Sequence, residues 1–281
     1  VFVGNVRQDP NSAYTLSGTT LSFTGAPPSG TNNIYVVHQA KSVGTISVPD
    51  SYKSDAQTIS GARTFNGGIT MGGTTPTLTI GDAGAEDAKI VFDGNAQDYH
   101  IGLDDSTDDL VIGKGSALGT TAHIVTDENG HVTKPLQTAF LALNDGGDSI
   151  TNATTTTIHL DTEIFDVNGD VTNHTFTAPV TGKYYLAGLV RLDAGSSSNT
   201  RFNRMFMQFN ASNRGALFET GQMYTDEDDK MGVSGSIVMD MDANDTVTMR
   251  VFASRNGASG ATTTSGNSSE PVTFFSGFLL G

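Results

Sequence analysis

Apolar residues in this chain come in short runs, and nearly every run ends within a few residues at Gly, Asn, Asp, Ser or Thr. A stable helix needs an apolar stripe recurring every three to four residues over about ten or more positions, and no stretch supplies one. Short runs cut by turn residues are what many strands joined by tight turns require. Thr154 to Thr157 and Thr262 to Thr264 favour extended backbone in the same sense, because β-branched side chains are stiff at χ1 and fit a pleated surface. The length of 281 residues admits one large or two to three small domains, yet 33 glycines and a hydrophobic share of 36% leave each core with little apolar material. An all-β chain is expected.

Thirty acidic against 15 basic residues give a formal charge of −15, which repels nucleic acid and acidic bilayers at long range. Nucleic-acid binding and membrane insertion are therefore not expected. With no cysteine there are no disulfides, thiolate metal sites or thiol nucleophiles. Stability must come from packing or from association between chains. No charged-then-apolar leader and no apolar run long enough to span a bilayer is seen. Val1-Phe2-Val3 reads as the middle of a strand, so further chain upstream is expected.

Residues 1 to 50 form a first segment, with strands expected at Val1 to Val6, Tyr14 to Gly18, Thr20 to Phe23 and Ile34 to Val37. Asp9-Pro10-Asn11, Ser17-Gly18 and Pro27-Pro28-Ser29-Gly30 supply the reversals between them. This run, from the opening Phe-Val through Leu21-Ser22-Phe23-Thr24-Gly25-Ala26-Pro27-Pro28-Ser29-Gly30 to Ile34-Tyr35-Val36-Val37-His38, resembles the small β modules near the attachment ends of bacteriophage tail fibres. Residues 43 to 60 read as a linker, because Pro49 breaks pairing and its flanks are small and polar, and residues 51 to 136 together hold linker and a β-rich shaft with a weak internal repeat. Leu78-Thr79-Ile80-Gly81 recurs 32 residues on as Leu110-Val111-Ile112-Gly113, and Ile90-Val91-Phe92-Asp93 recurs 34 residues on as Ile124-Val125-Thr126-Asp127. Strands this short do not bury a two-sided core within one chain, whereas three copies around an axis do. A small monomeric sandwich is the alternative.

In residues 137 to 281 the strands lengthen and alternate. They are expected at 140–143, 156–160, 176–178, 183–192, 204–210, 216–224, 233–241, 246–253 and 272–280, which is a jelly-roll count. Phe176-Thr177-Ala178-Pro179 with Gly182-Lys183-Tyr184-Tyr185, Phe206-Met207-Gln208-Phe209-Asn210, Ser234 to Met241, Asp245-Thr246-Val247 and the closing Phe275-Ser276-Gly277-Phe278-Leu279-Leu280 together resemble the C1q-like branch of the C1q/tumour-necrosis-factor jelly rolls. Asn244-Asp245 stands where that family usually has Gly-Asp, and Asn also enters the left-handed region. The resemblance implies a homotrimeric head on a stalk. Of Phe202, Phe206, Phe209, Phe218, Phe274, Phe275 and Phe278, most are expected in the core and a minority along the threefold axis.

Few motifs carry chemistry. Asp166-Val167-Asn168-Gly169-Asp170 imitates the start of a calcium loop, but Val171 and Thr177 stand where an EF-hand needs Gly and a bidentate Glu, so a hairpin turn is favoured. Asp226-Glu227-Asp228-Asp229 reads as a solvated acidic loop. Because some C1q-like heads bind calcium near their axis, the resemblance makes Asp226 and Asp228 candidate ligands, and no other cofactor is expected. Asp104 to Asp109 reads likewise as a solvated run. The six histidines show no ligand spacing, with His159 and His174 a candidate pH-sensitive pair against an ordinary packing role. No nucleophile elbow, phosphate loop or dinucleotide fingerprint appears, and a non-enzymatic protein is expected.

If the head strands alternate in direction, residues 193–203, 224–230 and 256–270 gather at the end away from the shaft, and 210–215 and 241–245 toward it. Asn199, Arg201, Asn203, Tyr224, Asp226, Arg255, Asn256 and Asn267 are then the candidate receptor-binding residues, among Gly and Ser, able to hydrogen-bond a host-surface glycan or protein. The expectation is a structural virion fibre on the virion surface and hence extracellular, a phage tail fibre anchored to upstream virion proteins and attaching to the host through its head. The alternatives are a head or decoration fibre whose C-terminal domain trimerises and caps, and a bacterial adhesin or matrix protein.

Overall fold

The computed structural model describes residues 1–37, 61–193, 200–220, 230–255 and 262–281, and at 200–202, 213–218, 220 and 255 the backbone alone. Among these residues all regular structure is strand, so the all-β expectation holds. The chain divides into two compact units, Val1–Thr74 and Thr75–Gly281.

In the first unit β1 (Phe2–Val3) and β2 (Val6–Arg7) are two strands where the sequence suggested one. Gly4 and Asn5, with φ of 53° and 62°, reverse the chain between them in the left-handed conformation that primed hairpin turns require. β3 (Tyr14–Ser17) and β4 (Thr20–Phe23) form the expected hairpin, and β5 (Ile34–Tyr35) pairs with β1, stacking Tyr35 on Phe2 at 4.9 Å. The proposed linker around Pro49 lies outside the described residues.

The second unit opens with an antiparallel meander of β6 (Ala88–Phe92), β7 (Tyr99–Asp104), β8 (Asp109–Lys114), β9 (Ala122–Thr126) and β10 (Val132–Thr133), each paired with the next. The weak repeat is not realised as two equal copies. Leu110 to Gly113 lies in β8, whereas Leu78 to Gly81 forms no strand. Strand alternation gives this sheet two unlike faces. On one, Ile90, Ile101, Ile112 and Ile124 align across four strands, flanked by Leu103 beside Leu110 and by Phe92 beside Tyr99. On the other lie His100, Gly102, Val111 and Gly113, all buried.

The connection from Gly115 to Thr121 covers that second face. The His100 imidazole Nδ1 is 2.9 Å from the Gly115 carbonyl oxygen, Thr121 O accepts from Lys114 N, and a Cβ built on Gly119 would lie 3.0 Å from Asp104 Oδ2. The segment thus runs the length of β7. Gly113 is required here, since its Cβ would stand 2.7 Å from both the His100 ring and Thr121 O.

The remainder is a two-sheet sandwich. Its strands are β11 (Ala139–Leu143), β12 (Ser149–Ile150), β13 (Thr154–Thr157), β14 (Thr162–Asp166), β15 (Val171–Thr172), β16 (Thr175–Thr177), β17 (Gly182–Asp193), β18 (Thr200–Phe209), β19 (Ser212–Thr220), β20 (Lys230–Met241), β21 (Thr246–Arg255), β22 (Thr262–Thr264) and β23 (Phe274–Leu279). One sheet runs β14-β11-β23-β17-β20, with β22 also pairing the far end of β17 and β12 beside it. The other runs β15-β16-β21-β18-β19, with β13 on β21. From β16 onward the chain repeatedly crosses between the sheets, and β23 returns to lie between β11 and β17. That order is a jelly roll.

The two inner faces meet in one core. Phe140 stacks on Phe176 at 4.8 Å and meets Phe275 edge-on at 5.0 Å, while Tyr184 packs against Phe176 at 5.4 Å and donates its hydroxyl to Val180 O at 2.6 Å. Met205, Met207, Met241 and Met249 fill the rest, flexible side chains suited to gaps that a tryptophan-free core leaves. Gly277 lets β23 close over this cluster, because a Cβ there would lie 2.6 Å from Leu186 Cδ2, 2.8 Å from Phe140 Cε1 and 3.0 Å from Tyr185 O. Gly277→Ala is expected to destabilise the sandwich by about 1–3 kcal/mol through overpacking, read as a lower midpoint in denaturant. An unchanged midpoint would show that the core yields there.

Candidate assembly face and recognition end

The outer face of the first sheet carries a broad apolar patch, bordered by Lys183 paired with Asp240 at one end and by Arg191 and Asp193 at the other. Registers align Ala139, Phe278, Tyr185 and Val238 in one row, and Leu141, Ser276, Ala187 and Ser236 in the next. A third row carries Phe274 beside Leu189, and Phe165 flanks Leu141 on β14. Phe278 is 43% and Val238 53% exposed, against 0% for Phe275 on the inner face. Ala139, Leu141, Phe165, Phe274 and Phe278 line an open depression of about 480 Å³. A soluble monomer rarely leaves such a contiguous surface bare.

Sequence reasoning missed Leu141, Phe165, Tyr185, Leu189 and Val238 as members of this face. The signal was present in β17, where Tyr184 and Tyr185, then Leu186 and Ala187, then Leu189 and Val190, place apolar side chains on both faces. A strand apolar on both sides is covered on both sides. Of the aromatics assigned mostly to the core, Phe206 and Phe275 are buried and Phe209 packs against the core, while Phe274 and Phe278 point outward. Phe202 and Phe218 lie in β18 and β19.

Strand direction sorts the ends of the sandwich. Asp193 of β17, Thr200 of β18, Thr220 of β19, Lys230 of β20 and Arg255 of β21 mark one end, with Thr263 paired to Asp193. The turns from Phe209 to Ser212 and from Met241 to Thr246 mark the other. The chain enters the sandwich at that second end, where Gln137 Nε2 donates to Leu279 O and Leu279 N donates to Thr138 O at 3.0 Å.

The candidate recognition residues do not share one environment. Asn199, Tyr224, Asp226 and Asn256 lie outside the described residues, as does the acidic run holding Asp228. Arg201 and Arg255 belong to strands, close together because Thr200 of β18 pairs with Arg255 of β21. Asn267 is exposed and accepts a hydrogen bond from Ser269 N at 2.8 Å, closing a turn. Asn203 is a correction. β18 begins at Thr200, four residues before the expected strand, so Asn203 pairs with Ala253 and is wholly buried, its Nδ2 lying 3.3 Å from Met231 Sδ. It cannot be an exposed contact of this chain.

Two polar clusters organise the sandwich loops. Asp148 accepts from Asn144 Nδ2 at 3.0 Å and from His159 N at 2.9 Å, and its other oxygen lies 2.7 Å from His159 Nδ1. His159 does meet His174, ring to ring at 4.5 Å, and Leu160 N donates to His174 Nδ1 at 2.9 Å. The calcium-like run from Asp166 to Asp170 is a turn. Asp166 Oδ1 accepts from Asp170 N at 3.0 Å and Oδ2 from Val171 N at 2.7 Å, with Gly169 at a φ of 71°. Each carboxylate oxygen thus holds a backbone amide and fixes the turn.

No family model and no curated protein matches the chain. Among solved structures, the globular domain of zebrafish complement 1qA protein is similar at 20% identity, over 52% of this chain and 98% of that domain, with a TM-score of 0.38. The jelly-roll assignment stands on the sheet order of the sandwich itself.

Burial holds the Asp170 carboxyl above its ordinary range and the Asp166 carboxylate adds to this, against hydrogen bonds from Thr138 and Asn168 that pull it down. A group whose folded value is raised contributes stability that is complete below its unfolded value, about 3.9, and is lost as pH rises through the folded one. Asp170→Asn is therefore expected to melt higher than the unmodified protein at pH 7, with the difference closing as pH falls toward about 4. A pH-independent difference would contradict the assignment.

Proposed function

We propose that this chain is a homotrimeric structural fibre protein of a virion, a phage tail fibre that attaches to the host surface through its C-terminal sandwich. The observation that carries the reading is the apolar outer face of the β14-β11-β23-β17-β20 sheet, centred on Phe278, Tyr185, Leu141 and Phe274. A chain with a formal charge of −15 resists self-association wherever carboxylates meet, and the three rows from Phe278 to Phe274 contain none, Asp240 standing at their border paired with Lys183. Closed symmetry lets three copies cover that face together.

The first fifty residues, by their resemblance to fibre attachment modules, assign the opposite end of the chain to upstream virion proteins. Location on the virion surface follows from the same reading. The action is binding, not catalysis: the strand ends at Asp193, Thr200, Lys230 and Arg255 gather opposite the point where the chain enters the sandwich, and three linked copies turn modest contacts there into firm adhesion.

Phe278→Asp is the test. It sets a carboxylate in the middle of the face while leaving the inner core untouched, so the sandwich is expected to keep its circular dichroism spectrum. Sedimentation velocity is expected to show the mass falling to that of one chain, 29.4 kDa. Retention of labelled protein on cells from a panel of bacteria should fall by about 100-fold as avidity is lost. A variant that keeps both its mass and its retention would overturn the proposal.

A further inference from the structure

The isoleucine row of the β6 to β10 meander, Ile90, Ile101, Ile112 and Ile124, is unaccounted for by the fold of one chain. Over β7 and β8 one face of its sheet is covered by the Gly115 to Thr121 segment, Lys89 and Val91 of β6 staying exposed beside it, and on the other face Ile90 is 40% and Ile112 37% exposed, with Ile101 and Ile124 half-buried. We infer that this row is a second self-association seam, covered by the same row of other copies of the chain. The inference rests on the reading that the sandwiches self-associate.

Area points to the occupant. At about 4.8 Å between strands and 3.4 Å per residue the row and its flanks span roughly 300 Å², against about 800 Å² per partner for a stable independent interface. A separate protein would gain too little there to stay bound. A copy already delivered by its sandwich would not need to.

The connection is built for that delivery. Only residues 134–138 separate β10 from β11, and they are fastened to the sandwich: Asn168 Nδ2 donates to Leu136 O at 3.3 Å, Gln137 Nε2 donates to Leu279 O, and Thr138 O accepts from Leu279 N. Joined sandwiches therefore hold their meanders at high effective concentration.

Charge agrees with a like partner. The rows through Ala88, Ile90 and Phe92 include Lys114 but no carboxylate, while Asp104 and Asp109 alternate to the covered face. Two chains of −15 can meet on this surface without opposing acids.

The absence of cysteine makes the seam directly testable in the full chain. Ile112→Cys and Ile101→Cys would be oxidised mildly alongside Lys89→Cys, an exposed position on the opposite face, with the mass of each measured by light scattering. In a trimer one disulfide can form among three thiols, so covalent dimers should reach at most about two of every three chains. The isoleucine positions are expected to approach that ceiling well before Lys89→Cys. Trimeric mass with no faster cross-linking at Ile112 or Ile101 than at Lys89 would overturn this inference and leave the sandwich reading intact. Monomeric mass for the unmodified chain would overturn both.

Discussion

A strand that is apolar on both faces has to be buried on both faces, and β17, from Gly182 to Asp193, is such a strand. Its inner side chains, Tyr184, Leu186, Val190 and Leu192, join the core of the sandwich. Its outer ones, Tyr185, Ala187 and Leu189, align with Phe278, Ser276 and Phe274 of β23 and make the bare face. Tight closure of the core and exposure of the face are thus two sides of one pair of strands. Gly277 serves the inner side by letting β23 approach Leu186 and Phe140, and the neighbouring Phe278 serves the outer.

The meander repeats the pattern with less material. Histidine, glycine and valine on one face are covered by a segment of the chain itself, and the isoleucines on the other are left over. A chain without cysteine or tryptophan and with many glycines has few ways to stabilise small β elements alone. On the proposal that other copies cover one face of each sheet, part of that stabilisation comes from association. The fold of one chain and its assembly are then one energetic problem.

Long strands were legible in the sequence. β17, β20, β21 and β23 run for six to twelve residues, and their expected limits fall within three residues of the observed ones. The threonine strings at 154–157 and 262–264 also became strands, β13 and β22, as β-branched residues favour. β14 was not legible, because Thr162, Glu163 and Asp166 obscure its apolar Ile164 and Phe165. The repeat at Leu78 misled because two apolar residues, a threonine and a glycine specify no partner strand. Asn203 misled because an amide reads as a loop residue, whereas pairing with Ala253 carries β18 four residues further and turns Asn203 into the core. Beyond the hint in β17, the extent of the outer face required the registers, since its residues come from five strands between Ala139 and Phe278.

On the proposed reading, the apolar outer face of the sandwich is an interface between copies. Multi-angle light scattering combined with small-angle X-ray scattering on the unmodified chain, over a dilution series with and without a calcium chelator, tests it most directly. A particle of three times 29.4 kDa that persists on dilution is expected. A particle of 29.4 kDa at every concentration would contradict it.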